Sequence, residues 1–380
     1  MAASVLEQGE DAFRKIFRYY RRRNPPCDLS GVIEFRPGDP RVKGANLRAG
    51  ALSDQDAGRV GLQPLHRWKA YQLEGSPGFL FIENPFLPGW QHRWVRQCLK
   101  LYPRKPNVCN LDLHMNPDST ADLWSASQSQ LRRKSSQRRS EKTLLEKLRW
   151  VTLGFHYNWD TKRYHGENHS DFPVELAELS RSVAVACGFP VFKAEAAILN
   201  YYRMDSSLGI HVDESELDRQ SPLLSFSFGQ SSIFLLGGLS RDLSPTAMMM
   251  NSGDIMVMSG PSRLLYHAVP RILHHPAGGI LPPSLSAPPP SEDSGYNPLI
   301  EPCSTEDWEV CETYLQTSRI NMTVRQVLEE GGSFPEREDT DGKGDPVIKG
   351  DTYHSEDSDM LEAEDRESRL AKRVRTTQES

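Results

Sequence analysis

Residues 208–214 read Leu-Gly-Ile-His-Val-Asp-Glu, and the rest of the predicted fold is arranged around this stretch. His211 and Asp213 are two positions apart, so on an extended backbone their side chains leave the same face, while Val212 points to the opposite, apolar side. An imidazole and a carboxylate aimed at one point supply two of the three protein ligands of a common type of metal site. The stretch therefore predicts a β-strand that carries metal ligands.

The third predicted ligand is His267, in the stretch 264–270, which also has the composition of a strand. Two histidines and one carboxylate leave the remaining metal positions open, an arrangement typical of non-haem Fe(II) oxygenases. A His-x-Asp triplet alone is weak evidence, since roughly one is expected by chance in a chain of this composition, and a His beside an Asp is more often an ordinary core or surface residue. His274 and His275 are weaker candidates, because they precede the Pro-rich segment 276–298.

Residues 319–325, with the sequence Arg-Ile-Asn-Met-Thr-Val-Arg, alternate strictly between polar and apolar side chains. On a strand, Arg319, Asn321, Thr323 and Arg325 share one face. A dicarboxylate co-substrate needs a guanidinium, which stays charged and pairs with a carboxylate through two hydrogen bonds. The two arginines are about 20 Å apart along a straight strand, so we assign Arg319 to the distal carboxylate and Arg325 to the metal-proximal end or a supporting role. The alternative is an edge strand protected by charge.

The remaining pattern predicts an α+β fold. Helical spacing covers residues 90–101, much of 110–147, and 172–187. Short strands follow from residue 194, with Gly-rich turns between them, at 194–203, 223–229, 232–237, 245–250, 254–259, 263–269 and 319–327. This succession indicates a jelly-roll barrel, although strand spacing alone does not distinguish it from other β-sandwiches.

Together with the Asn-x-Tyr strand at 200–202, these motifs resemble the AlkB family of Fe(II)- and 2-oxoglutarate-dependent dioxygenases over roughly residues 75–330. In that family the fold is a double-stranded β-helix, and the reaction oxidatively removes alkyl groups from nucleic-acid bases. The resemblance implies Fe(II) as the cofactor, with 2-oxoglutarate and O2 as co-substrates. It also implies that iron is bound by His211, Asp213 and His267, and that 2-oxoglutarate is held by Asn200, Tyr202, Arg319 and Arg325.

We predict four segments. An N-terminal helix and connector occupy residues 1–75, and a strand, a helix and a basic nucleic-acid-binding lid occupy 76–150. The double-stranded β-helix core spans 151–330, and an acidic, disordered tail spans 331–380.

The N-terminal helix is predicted over residues 11–23, where Phe13, Ile16, Phe17 and Tyr20 recur at helical spacing among basic residues. We prefer the interpretation that it docks on the surface of the domain. The alternative is a mitochondrial presequence, against which the acidic residues Glu7, Glu10 and Asp11 argue.

Two further regions are candidates for substrate contact. Five basic residues are predicted to follow the nucleic-acid backbone, namely Arg132, Arg133, Lys134, Arg138 and Arg139; the alternative is a solvated helix. Aromatic faces stack on bases, so we predict substrate contacts for Trp124, Phe155, His156 and Tyr157, although aromatic residues at strand spacing are often core residues.

Composition sets the outer limits. The net charge of the 380 residues is −6, but residues 329–380 hold 16 acidic and 8 basic side chains, so the rest of the chain is slightly basic. The six cysteines are scattered, which is typical of reduced thiols in an intracellular protein. No membrane span is expected, because no apolar run is long enough. We expect a monomer in the nucleus or the mitochondrion, with the cytoplasm also compatible.

These observations predict an Fe(II)/2-oxoglutarate-dependent dioxygenase that demethylates N-alkylated bases of tRNA or DNA and releases formaldehyde, succinate and CO2. One alternative keeps the chemistry and takes a protein substrate such as a histone. Another is a nucleic-acid-binding module without catalysis. The sequence does not choose among nucleic acids or methylated bases.

Overall fold

The structure is a computed structural model that describes residues 11–48, 50–134, 142–275, 278–287 and 297–335. Its α-helices are α1 Ala12–Arg21, α2 Asp54–Arg59, α3 Gln91–Arg96, α4 Pro117–Thr120, α5 Leu123–Lys134, α6 Leu144–Lys147, α7 Val174–Cys187, α8 Pro283–Ser286 and α9 Thr305–Leu315. Its strands are β1 Val42–Gly44, β2 Lys69–Leu73, β3 Phe79–Glu83, β4 Val108–Cys109, β5 Trp150–Gly154, β6 Ala196–Arg203, β7 Leu208–His211, β8 Leu223–Gly229, β9 Ser231–Leu236, β10 Thr246–Met250, β11 Ile255–Met258, β12 His267–Leu273 and β13 Ser318–Arg325.

Strands β6 to β13 form a double-stranded β-helix. Strands β11, β8, β13 and β6 are neighbours in a nine-stranded major sheet, while β10, β9, β12 and β7 form a four-stranded minor sheet. The chain passes back and forth between the two sheets, as a jelly roll requires. The predicted α+β fold and its jelly-roll core are therefore confirmed.

Strand β13 lies in the middle of the major sheet, between β8 and β6. Its register places Arg319 opposite Tyr202 and Asn321 opposite Asn200 on β6. Directly opposed residues of an antiparallel pair share a face, so the polar residues of both strands point into the space between the sheets. The alternate residues Ile320, Met322 and Val324 belong to the main apolar core on the other face.

The major sheet continues beyond the jelly roll on both sides. Strand β3 pairs with β11 and brings β2 and β1 with it, whereas β5 pairs with β6 and adds β4 at the opposite edge. The sheet thus crosses the predicted boundary between residues 150 and 151. Composition does not reveal this pairing, because the partner of β3 lies more than 170 residues downstream. Contacts join the chain through Phe334 into one compact unit.

Helices cover the outer faces of the two sheets. Residues of α3, α7 and α9 pack with the outward side chains of the major sheet in the main core. Helix α1 covers the minor sheet, where Phe13, Phe17 and Tyr20 are buried with Leu235 and Ala268. The predicted docking of the N-terminal helix is confirmed, and the helix begins where the Asp11 side chain accepts a hydrogen bond from the amide of Arg14.

Strand β12 differs from its predicted position. It begins at His267 instead of residue 263, because Gly260–Ser262 form a 3-10 turn and Arg263 follows the turn with its side chain buried. The predicted tail lies almost entirely outside the described residues. Among the helices that the structure describes, none combines the length and apolar character needed to span a membrane.

Candidate active site

The three predicted metal ligands come together at one end of the minor sheet. His267 opens β12 and stands directly opposite His211, the last residue of β7, so their ring centroids are 4.2 Å apart. Asp213 follows two residues after β7, and its Oδ2 lies 3.7 Å from Nε2 of His267. One ligand atom from each of the three residues lies within 4.8 Å of the others, a spacing that one metal ion can bridge.

Hydrogen bonds to the backbone set the orientation of both imidazoles. Nδ1 of His211 donates to the carbonyl of Gly209, and Nδ1 of His267 donates to the carbonyl of Leu265, each at 3.0 Å. Since a carbonyl only accepts, both Nδ1 atoms carry the proton and both Nε2 atoms present a lone pair. Burial, followed by the neighbouring His211, lowers the pKa of His267 to about 4, so this ring is neutral and ready to bind a metal.

A buried network of alternating charges holds the Asp213 carboxylate. Nη2 of Arg325 donates to Asp213 Oδ2 at 3.0 Å, and Nε of the same guanidinium lies 3.0 Å from Glu216 Oε1. Arg263 donates to the other oxygen of Glu216 at 2.9 Å and also to the backbone carbonyl of Asp213. Burial alone would raise the pKa of Asp213, but the guanidiniums of Arg325 and Arg263 hold it well below its usual range. The carboxylate is therefore charged and fixed in position.

Arg319 stands at the other end of the same face of β13, in a different environment. Its guanidinium donates to Ser227 Oγ at 2.6 Å and to two backbone carbonyls, of Gln230 and Met250, while its Nε is buried without a partner. No carboxylate forms an ion pair with Arg319 within the described part of the chain. Burial lowers its pKa to about 10, although the buried Asp254 nearby favours the charged form. Arg319 therefore remains a cation at neutral pH and forms no direct ion pair among the described residues.

One pocket joins the metal ligands to Arg319. Its non-atom space is about 590 Å³, counted out to and including its open mouth. Its polar wall comes from the inward residues of β6 and β13, including Asn200 and Tyr202. The minor sheet contributes the apolar side chains of Phe234 and Met250, and Met256 and Met258 of β11 add apolar surface on the major-sheet side. These side chains keep water away from the ligands.

These residues fit the cofactor and co-substrate implied by the family resemblance. Two neutral imidazoles and one carboxylate are the ligand set of non-haem Fe(II) oxygenases. A buried guanidinium with no direct ion pair in the described part of the chain suits the distal carboxylate of 2-oxoglutarate, and Tyr202 and Asn200 lie on the same wall. All seven predicted iron and 2-oxoglutarate residues line this one pocket. Arg325 contacts Asp213, which agrees with the supporting role among its predicted alternatives.

Of the four predicted substrate contacts, the structure brings only Tyr157 near the metal ligands, where its hydroxyl lies 3.5 Å from Ser215 Oγ. Phe155 packs against Phe334 in the small cluster that also contains Tyr157, and buried His156 bonds to Thr152. Trp124 is 3% exposed in the helical part of the main core, under Lys100. The predicted substrate contact of Trp124 is therefore corrected. Its side chain packs in the core, which is the alternative that the sequence pattern left open for aromatic residues.

We call the five basic residues predicted to follow the nucleic-acid backbone, between Arg132 and Arg139, the basic arm, and the structure describes it only in part. Arg132, Arg133 and Lys134 form the last residues of α5, but their side chains are outside the description, as are Arg138 and Arg139 altogether. Their contact with a nucleic-acid backbone stays a prediction.

Several residues of the site were not singled out from the sequence. Glu216 and Arg263 form a buried ion pair behind Asp213. The hydroxyl of Ser225 accepts a hydrogen bond from Asn321, and that of Ser227 accepts one from Arg319. The spacing of Glu216, three residues after Asp213 on the same segment, is the one signal that could have pointed to it. The role of Arg263 depends on a fold that brings residue 263 against 213–221.

The chain matches a family model described as the 2OG-Fe(II) oxygenase superfamily over residues 78–325. It is 59% identical over 345 residues, 88% of each chain, to "Nucleic acid dioxygenase ALKBH1" of Mus musculus. It is 31% identical to "DNA N(6)-methyladenine demethylase ALKBH1A" of Arabidopsis thaliana, covering 80% of this chain and 88% of the relative. It is also 31% identical to "tRNA demethylase abh1" of Schizosaccharomyces pombe, covering 72% and 88%. With the metal triad and the co-substrate pocket in place, this chain belongs to the AlkB family of the 2OG-Fe(II) oxygenase superfamily, as an enzyme that uses Fe(II), 2-oxoglutarate and O2.

Proposed function

We propose that this enzyme oxidatively removes alkyl groups from N-alkylated bases of nucleic acid, with tRNA or DNA as the substrate and formaldehyde, succinate and CO2 as the products. One observation carries the proposal: the metal triad and Arg319 share one pocket, and Tyr157 lies beside Ser215, two residues after the metal ligand Asp213. The relatives above, named as dioxygenases or demethylases of nucleic acid, DNA and tRNA, support the same substrate class.

The residues of the pocket divide the work. Bound Fe(II), 2-oxoglutarate and O2 supply the oxidising chemistry that hydroxylates the N-alkyl carbon. Arg319 holds the distal carboxylate of the co-substrate, and Tyr202 and Asn200 offer further hydrogen-bonding groups. Arg325 fixes the Asp213 carboxylate, and the apolar side chains of the pocket exclude water.

A base inside a duplex cannot reach ligands placed between two sheets. The target nucleotide therefore has to leave the base stack, or belong to an unpaired segment, before its alkyl group meets the metal site. Tyr157 stands beside Ser215 and adjoins the metal ligands, which makes it the residue of the aromatic run best placed to contact that base.

The test is a coupled measurement of succinate and formaldehyde with Fe(II), 2-oxoglutarate and O2. Methylated tRNA, methylated single-stranded DNA and methylated histone peptides are offered in parallel, with Asp213→Ala as the inactive control. We expect formaldehyde and succinate in equal amounts with a nucleic acid, and neither product from the control. Turnover with histone peptides alone would replace the nucleic-acid proposal by the protein-demethylase alternative, and binding without turnover would favour the non-catalytic module.

A second part of the experiment tests the basic arm. If Arg132, Arg133 and Lys134 follow phosphates, neutralising them lowers affinity for all sequences alike and reduces the salt dependence of binding. Unchanged binding would assign these residues to a solvated helix. The compartment and the monomeric state stay predictions.

A further inference from the structure

We propose that Trp159, backed by Trp150 and Tyr157, forms a stacking platform for a nucleotide next to the alkylated one. The inference rests on the proposed function, which it deepens: the enzyme would read a neighbouring base as well as the base that it alters. We call the three rings of Trp150, Tyr157 and Trp159 the aromatic platform.

Ring contacts connect the platform. Trp159 meets Tyr157 edge to face, with centroids 4.8 Å apart, and meets Trp150 at 5.2 Å. Despite these contacts Trp159 is 43% exposed. An indole that packs against two other rings and is still partly exposed offers a preordered apolar surface, which loses little side-chain entropy when a base stacks on it.

The platform is continuous with the active site. Trp150 is directly opposite Asn200 in the β5–β6 pair, so both side chains point to the pocket side of the major sheet, and Asn200 lines the pocket. At the other end, Tyr157 adjoins Ser215, two residues beyond the metal ligand Asp213. A strand whose alkylated base enters the pocket would therefore pass close to the platform.

The loop that carries Trp159 is held by its own hydrogen bonds. The side-chain oxygen of Asn158 accepts from the amides of Asp160 and Thr161, each at 3.0 Å, and the amide of Asn158 donates to the carbonyl of Arg163 at 3.0 Å. These bonds fix the loop on both sides of the indole, so that Trp159 is presented without support from a ligand.

Charge around the platform suits a polyanion. Arg149 precedes Trp150, and Lys162 and Arg163 follow Trp159 in its loop, all three exposed, with Asp160 next to Trp159 in the same loop. Stacking aromatic faces with cations beside them is the arrangement by which proteins hold unpaired nucleotides. A peptide substrate would gain little from it.

The experiment removes the platform and its partner base separately and together. Trp159→Ala, Trp159→Phe and the wild type are compared on a single-stranded oligonucleotide with one methylated base. Matched oligonucleotides carry an abasic nucleotide on the 5′ side or on the 3′ side of that base. Affinity is measured by fluorescence anisotropy and turnover by formaldehyde release. Leu239→Ala, at a side chain 74% exposed outside the platform, is the matched control.

Stacking on an aromatic side chain changes affinity by about 5- to 150-fold. We expect Trp159→Ala to lose affinity and kcat/KM in that range, Trp159→Phe to retain most of both, and Leu239→Ala to equal the wild type. One of the abasic substrates should weaken wild-type binding by a similar factor and leave Trp159→Ala unaffected. The platform would be overturned if Trp159→Ala and the abasic nucleotide each weakened binding and their effects on affinity multiplied when combined. It would also be overturned if Trp159→Ala bound as tightly as the wild type. Failure of the wild type to demethylate any oligonucleotide would instead overturn the proposed function, because the coupling between Trp159 and the neighbouring base is measured by binding alone.

Discussion

Arg319 and Arg325 share one face of β13, and both are almost completely buried, at 3% and 4% exposure, but their surroundings are opposite. Arg325 contacts the carboxylates of Asp213 and Glu216, whereas Arg319 contacts only a hydroxyl and carbonyls within the described residues. Burial lowers the pKa of both guanidiniums; around Arg325 the carboxylates outweigh that effect and raise it. The comparison separates a cation that belongs to the fold from a cation that is reserved for a ligand.

The largest effect is expected at Arg325. Arg325→Met leaves Asp213 and Glu216 buried with their charge only partly compensated, so the free energy of unfolding should fall by about 3–5 kcal/mol. Urea denaturation measures the loss, and Arg325→Lys, which keeps the charge, should recover part of it. A loss below about 1 kcal/mol would mean that the carboxylates reach solvent or another cation, and the contrast with Arg319 would disappear.

Arg319→Met should act on binding more than on folding. Removing one partner of a buried charge pair costs at least about 2 kcal/mol, so we expect 2-oxoglutarate to bind at least thirtyfold more weakly. Stability without ligand should fall less than in Arg325→Met, because the loss of a buried charge that has no direct ion pair offsets the loss of its three hydrogen bonds. Calorimetric titration with 2-oxoglutarate in the presence of Mn(II) checks the first point and urea denaturation the second. Unchanged affinity would show that another group holds the distal carboxylate.

The two arginines should also differ in ligand-induced stabilisation. A ligand at a hundred times its Kd stabilises a folded protein by about 2.7 kcal/mol. Thermal unfolding with 2-oxoglutarate and Mn(II) should raise the Tm of the wild type and of Arg325→Lys, but not that of Arg319→Met. An equal rise in all three proteins would contradict the assignment of Arg319.

The most gradual effect, spread over about three pH units, concerns Asp254. Burial raises its pKa to about 7 from an ordinary value of 3.8, against the opposing charge of Arg319. The folded state keeps a proton that the unfolded state releases near pH 4, so stability is full below pH 4 and is lost as the pH rises through 7. The slope is at most about 1.4 kcal/mol per pH unit. Asp254→Asn should flatten this part of the stability profile; an identical profile would show that Asp254 is ionised throughout.

The sequence predicted the parts of the site that depend on alternation along a strand. His211 and Asp213, and the polar face of β13, follow from a period of two, and their family resemblance added Asn200 and Tyr202. It did not predict which arginine is compensated. That difference comes from the carboxylates of Asp213 and Glu216, which contact Arg325. Arg263 holds Glu216 and the backbone of Asp213 because the chain folds back between residues 213 and 263.

Aromatic residues show the same limit. Trp124 and Tyr157 look equally suited to hold a base, but one is packed beneath helices and the other lies beside the metal ligands. Exposure decided between them, and exposure depends on tertiary packing. The long-range pairing of β3 with β11 was missed for the same reason.

His211 and His267 each donate Nδ1 to the carbonyl two residues earlier on their own chain segment. In many metal sites that second contact is a side chain, and a single substitution can release the ring. Here the acceptors are peptide groups, which every residue possesses, so replacing Gly209 or Leu265 changes the local conformation but cannot delete the acceptor. Substitution of the surrounding side chains therefore cannot remove the hydrogen bonds that orient the two iron-binding rings. The Asp213 carboxylate is more sensitive to mutation, because the groups that hold it are side chains, which a substitution can remove.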